Sequence, residues 1–245
     1  MTRRDVLTIG LALLLLALVL HVAHALIFRN LHDTLFYLTL DIAFLPLTVL
    51  FVTLIVEQLL SRRERQSRRH KMNMVIGAFF SAVGQRLIGV MSPLVANRET
   101  LTEQLSLGPN PVDGDLRRAA VFVTETKIEL AAGGADLVPL RDFLAEQRPF
   151  MLGLLENPTL LEHECFTDLL WAVFHLQEEL CARRALAELS GPDRAHIAVD
   201  FDRAYSALLV QWLEYLVHLR QDYPYLFSFA ARTNPWRPGA QAEIA

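Results

Sequence analysis

"LFYLTLDIAFLPLTVLFVTLIVEQLLSRRERQSRRHK" (35–71) decides how this chain is read. From Leu35 to Val56 it is apolar, with Asp41 the only charged residue. A helix rises about 1.5 Å per residue, so such a run covers a bilayer core of roughly 30 Å. It then ends in a basic tract, with Arg62, Arg63, Arg65, Arg68, Arg69 and Lys71 set against Glu64. Clustered cations beside a span mark its cytoplasmic end. The same cations are placed to meet anionic lipid headgroups.

Toward the N-terminus, "VLTIGLALLLLALVLHVAHALIF" (6–28) is a second run of spanning length. Only "RNLHDT" (29–34) separates the two, so they should form a tight antiparallel hairpin. That loop carries Arg29 with Asp33 close by, whereas Arg3 and Arg4 precede the first span. The distribution predicts both termini in the cytoplasm and the loop outside, with the chain in the inner (cytoplasmic) membrane. A cleaved leader is the rival reading, because "TRRDVLTIG" resembles a twin-arginine start and "AHA" (23–25) a cleavage site. The run is longer and richer in leucine than such leaders, and we read it as a retained span.

Composition agrees. The 245 residues are 53% hydrophobic, high for a soluble protein. A formal net charge of −4 gives no reason to expect nucleic acid as a partner. Cys165 and Cys181 are too few for a disulfide framework and too far apart on one helix to pair. A cytoplasmic setting would also keep them reduced.

Downstream, "MNMVIGAFFSAVGQRLIGVM" (72–91) is long enough for a third span. Arg86 argues against it, at a cost of about 2.5–3.5 kcal/mol near a bilayer centre. On a helical wheel Val75, Ile76, Phe79, Phe80, Val83, Leu87 and Val90 share one face, with Gly77, Ser81, Gly84 and Gln85 opposite. This predicts an amphipathic helix, on the membrane surface or packed on the soluble part. Beyond Pro93 the pattern is helical, with a loop at 108–115. Helices are expected over 115–130, in two pieces over 137–156 parted near Pro149, from a cap at Asn157 with Pro158 at the first helical position to about Leu189, and from a cap at Ser190 or Asp193 to about Asp222. A short aromatic helix should follow. The expected organisation is a hairpin (1–60), a basic juxtamembrane segment (61–71), a helical domain (72–236) and a flexible tail (237–245). The fold class is all-α, a transmembrane helical hairpin followed by a cytoplasmic antiparallel helix bundle.

Three polar groups could carry function. Within the spans, His21 and His24 share one face, His21 and Asp41 fall at similar depth, and ionisable residues there are functional candidates by default. We expect His21 to hydrogen-bond Asp41. In "LEHECFTDLLWAVFHLQEEL" (161–180), Cys165, Phe166, Leu169, Leu170, Ala172, Val173, Leu176 and Leu180 gather on one arc. Glu164, Asp168, Trp171, His175, Glu178 and Glu179 lie opposite, and His163 sits at the arc's edge as a half-buried histidine. We take Glu164, Asp168, Trp171, His175 and Glu179 as a candidate partner face. The next helix pairs His196 with Asp200 and Glu214 with His218 at i, i+4. Its core face is Ile197, Phe201, Tyr205, Leu208, Trp212, Leu216 and Leu219. Neither helix matches the Glu-x-x-His pattern of di-iron bundles or His-Glu-x-x-His, and both polar stripes oppose their own core faces, so no metal ligands are assigned. In the third group, Tyr223, Tyr225, Phe227, Phe229 and Trp236 cluster near Arg232, mainly as core.

"ENPTLLEHECFTDLLWAVFHLQEEL" (156–180) with "YPYLFSFAARTNPW" (223–236), behind a basic-flanked hairpin, resembles uncharacterised prokaryotic two-span inner-membrane proteins with a cytoplasmic helical domain. The resemblance implies no activity and brings no catalytic residues. The expected function is a membrane-tethered interaction or regulatory module without catalytic residues or cofactor, with the bilayer, anionic headgroups and a protein partner or further copies of itself as partners. The alternative is an oligomeric channel or transporter component using His21, His24 and Asp41. A haem- or divalent-metal-binding membrane protein stands third.

Overall fold

A computed structural model of the chain describes residues 3–28, 31–108, 110–131, 136–157, 160 and 163–243. The side chains of 60–71 lie outside the described set, and with them those of Arg62, Arg63, Arg65, Arg68, Arg69 and Lys71. The fold is all-α: an N-terminal hairpin of apolar helices, then a C-terminal helical domain. The chain forms two compact units, Met1–Arg65 and Gln66–Ala245.

Helices α1 (Arg3–Phe28) and α2 (Leu31–Phe79) open the chain. The segments Thr8–Ile27 and His32–Leu59 are long and apolar enough to cross a membrane. Their large side chains are exposed all round, as with Leu14, Ile42 and Phe51. A helix apolar on every side has no single face to bury in water. Met72–Leu94 meets the same length and composition test, yet 44% of it is buried within the second unit. There Ile76, Phe79, Phe80 and Val83 join the core, and Gln85 donates to Thr233 Oγ1 at 3.2 Å.

A π turn over Phe80–Gly84 leads into α3 (Gln85–Met91). Such a turn holds about one residue more than an α turn, so the side chains beyond it are rotated backwards. The buried positions become Leu87, Ile88 and Met91, whereas Val90, expected on the core face, is only partly buried. Gly84, expected on the polar side, is buried against the Phe79 and Phe80 rings.

Helices α4 (Arg98–Leu105) and α5 (Asp113–Glu125) follow. The helix expected to reach residue 130 stops at Glu125, and the chain continues extended to pair Leu130 with Val95. Ala96 N–H donates to Glu129 O at 2.7 Å and Ala131 N–H to Leu94 O at 2.9 Å. Asp202 accepts the Ile128 N–H at 2.8 Å, so the backbone here is satisfied outside a helix.

Helix α6 (Val138–Leu155) runs unbroken through Pro149, where two pieces were expected. Proline frees the carbonyl four residues back. Ala145 and Pro149 both lie on the exposed side, where water can serve that group. Helix α7 spans Glu164–Ala182, shorter at both ends than the expected 157–189. Its N-cap is His163, and Pro158 lies outside the described residues. At Arg183 the backbone turns extended, and Leu186 is buried in a short 3-10 turn. Helix α8 (Gly191–Asp222) is capped by Ser190, whose Oγ accepts the Asp193 N–H at 3.2 Å. Helix α9 (Pro224–Arg232) ends the regular structure.

The core of the second unit lies mainly where α8 meets α5, α7 and α9. All seven residues expected on the inner face of α8 are buried. The aromatic group divides: Phe227 and Trp236 are buried, Tyr223 is partly buried, and Tyr225 and Phe229 are exposed.

Candidate functional site

The polar residues of α7 and α8 meet at the border of their shared core. Phe166, Leu169, Leu170, Val173, Leu176 and Leu180 drive α7 inward, as the wheel predicted. Cys165 is a correction: it lies in the first turn and is exposed, as is Cys181, and both are free thiols. His163 is half-buried, but as a cap rather than a residue at the edge of the helix's apolar arc. Its Nδ1 accepts the Phe166 N–H at 3.1 Å, which satisfies an end group the helix cannot serve itself.

The candidate partner face splits in two. Glu164, Asp168 and Trp171 stay exposed, Trp171 at 60%. Glu178, beside them, pairs with Arg148 of α6 at 2.9 Å, and Arg148 also lies over the Phe174 ring, 5.4 Å from its centre. His175 and Glu179 instead turn toward α8. His175 Nε2 is 3.4 Å from Asp200 Oδ2, and His196 Nε2 is 3.4 Å from both Asp200 Oδ2 and Glu179 Oε2. Arg203 holds the other oxygen of Asp200 at 2.9 Å, and Arg183 holds Glu179 Oε2 at 2.6 Å. The Arg183 hydrogen bond keeps the Glu179 carboxyl below its ordinary range, so it is ionised.

Asp200 corrects the wheel reading most. It was expected on the wet stripe of α8, yet only 3% of it is exposed. Gln211, farther along α8, is also buried. A wheel of α8 alone sees no α7 beside it, and it is His175 of that helix that approaches Asp200. The spacing did carry a signal: His175/Glu179 and His196/Asp200 are two i, i+4 pairs on consecutive helices, so each presents two ligating groups on one face.

Elsewhere the expected pairs change. His218 Nδ1 meets Asp222 at 2.7 Å and Asn73 at 3.0 Å, while Glu214 accepts from Gln211 at 2.9 Å. In the hairpin, His21 Nδ1 bonds the Ala17 carbonyl at 2.9 Å within its own helix. His24 Nδ1 meets Thr34 Oγ1 at 3.2 Å across the hairpin. Leu20, His21, His24, Thr34 and Tyr37 line a cavity of about 200 Å³. Asp41 is exposed and outside that group, and a His21–Asp41 bond is not among the contacts of the described residues.

These features define a class: an all-α protein with two long apolar N-terminal helices and a C-terminal helical domain with its own core. A family model described as "MJ1433, N-terminal helical domain" matches residues 2–60, and one described as "Uncharacterized protein MJ1433, C-terminal helical domain" matches residues 68–232. The chain belongs to this family. It is 37% identical over 234 residues to the uncharacterized protein MJ1433 of Methanocaldococcus jannaschii, an alignment covering 96% of this chain and 94% of that protein. No solved structure matches the chain.

Proposed function

We propose that this protein is a membrane-tethered interaction module. Helices α1 and α2 anchor it, with both termini and the helical domain on the cytoplasmic side. The exposed face of α7 receives a protein partner that brings a basic segment and an apolar pocket. The observation that carries this reading is Trp171. It is 60% exposed on a helix whose other face is fully packed, with Glu164 and Asp168 exposed on the same side. Large aromatics are typical interface anchors, and the carboxylates on that side would steer a cationic partner. The basic tract of 61–71 supports the assigned orientation, since arginines cluster beside the cytoplasmic ends of spans.

The two free cysteines offer a direct test of orientation. A membrane-impermeant maleimide should leave Cys165 and Cys181 unlabelled in intact cells and label them once the membrane is opened, whereas a cysteine placed at His32 should react in intact cells. Labelling of the native cysteines in intact cells would reverse the topology. For the docking face, crosslinking in native membranes should yield a defined adduct that Trp171→Ala and Asp168→Lys both weaken about tenfold or more. An adduct pattern indifferent to both substitutions sinks the assignment of this face.

A further inference from the structure

His175, His196 and Asp200 bring three ligating atoms together, all within 4.8 Å of one another. Both imidazoles present Nε2 to one oxygen, Asp200 Oδ2, each at 3.4 Å. That is longer than a good hydrogen bond, for which N–H···O distances run to about 3.2 Å. It does match the edge of a metal coordination tetrahedron. Bonds of about 2.0–2.1 Å from zinc to nitrogen or oxygen give ligand–ligand edges of roughly 3.3–3.4 Å.

A second, independent observation points the same way. Asp200 is 3% exposed, and its Oδ2 is buried with no hydrogen-bond partner among the described residues. Its Oδ1 is already taken by Arg203. Buried polar atoms are normally satisfied, so an orphaned carboxylate oxygen aimed at two imidazoles asks for a positive partner. Arg203 also fixes the carboxylate's orientation, as outer-sphere groups do for metal ligands. The imidazoles are 46% and 54% exposed, so the open side of the cluster faces solvent, where an ion can enter and water can complete its coordination.

We propose that His175, His196 and Asp200 bind one divalent transition-metal ion of the zinc type. Two imidazoles and one carboxylate select zinc or its neighbours over calcium or magnesium, which favour oxygen-only sets. Glu179, held by Arg183, borders the open side of the site, 3.4 Å from His196. The surrounding charges are close to balance, with Asp200, Glu179 and Asp193 against Arg203 and Arg183. A divalent ion therefore does not enter a cationic field. The site ties α7 to α8 beside the docking face but does not rest on that face being used.

The test uses the full chain in detergent, purified without a polyhistidine tag, stripped with chelator and dialysed against micromolar zinc. Wild type should retain one zinc per chain. His175→Gln with His196→Gln, both at solvent-accessible positions, should keep the helical circular dichroism and lose at least about 100-fold in affinity. His32→Gln, which changes an exposed histidine of the hairpin, should bind as wild type does. Cobalt in place of zinc should give the intense visible bands of a four-coordinate site, lost in the double variant. Zinc uptake that is equal in wild type and the His175/His196 variant would overturn the proposal. So would equal loss in the His32 variant, or retention of calcium as readily as zinc.

Discussion

The hairpin and the helical domain handle apolar surface in opposite ways. In the first unit Leu14 is 71% exposed, Ile42 63% and Phe51 62%, around the whole circumference of both helices. In the second, Phe79, Phe166, Phe201, Tyr205 and Leu208 are at 0% and polar side chains take the outside. The same residue types thus stand at the surface in one unit and in the core in the other. Helices satisfy their backbone polar groups in both units, whereas apolar side chains are hidden in the domain alone; the proposed membrane setting would supply the apolar surroundings that the hairpin's side chains lack. The junction between those regimes falls within α2, where the apolar run gives way to arginines and then to an amphipathic face.

The widest contrast should appear on truncating large side chains. Trp212, 1% exposed in the domain core, should cost about 3–5 kcal/mol when changed to alanine, read from denaturant unfolding of the domain signal in detergent. Leu14→Ala, at a position 71% exposed, should leave that same transition within about 0.5 kcal/mol. Comparable losses at the two sites would mean that the hairpin is packed by protein and the contrast is false.

A smaller effect sharpens the boundary of the domain. A Cβ on Gly84 would lie 2.5 Å from Phe80 Cδ1 and 2.9 Å from Phe79 Cε1, on rings that are themselves buried. Overpacking of this kind costs about 1–3 kcal/mol, more than the roughly 1 kcal/mol that alanine gains over glycine in a helix. Gly84→Ala should therefore lower the domain's melting temperature. A raised one would show that this segment does not pack as the rest of the core does.

The smallest effect is a pH dependence peculiar to the domain. Burial pushes the Tyr205 phenol well above its ordinary value of 10.0, and its hydroxyl donates to Ile88 O at 3.1 Å. The folded state keeps this proton where the unfolded chain loses it. The contribution is therefore intact below about pH 10 and stability falls as pH rises beyond it. Tyr205→Phe should cost about 0.5–1.5 kcal/mol at neutral pH and flatten part of that alkaline decline. An equally steep decline in the variant would assign it to other groups, Tyr215 first, since burial raises its phenol too.

Much of this was legible because it is local. The apolar runs before residue 60, the capping Ser190 and the core face of α8 from Ile197 to Leu219 all follow from periodicity and end chemistry on single helices. So did the exposure of Trp171, which falls opposite its own helix's apolar arc. Asp200 was misread for the complementary reason. Its burial comes from a neighbouring helix, and no wheel of α8 contains α7. The end of α5 at Glu125 depends likewise on partners elsewhere in the chain: Leu94, Ala96, Asn97 and Asp202 take up the hydrogen bonds that a longer helix would have made internally.

The sequence by itself determined that this is an all-α protein, with two helices long and apolar enough for a membrane followed by amphipathic helices. Helical periodicity, run length and charge placement are properties of consecutive residues. Only the tertiary structure decided that His175, Glu179, His196 and Asp200 form one cluster, and that Met72–Leu94 turns through a π bulge into the domain core. Those outcomes depend on which side chains from distant positions compete for the same space, and on whether a buried charge finds its partner on another helix.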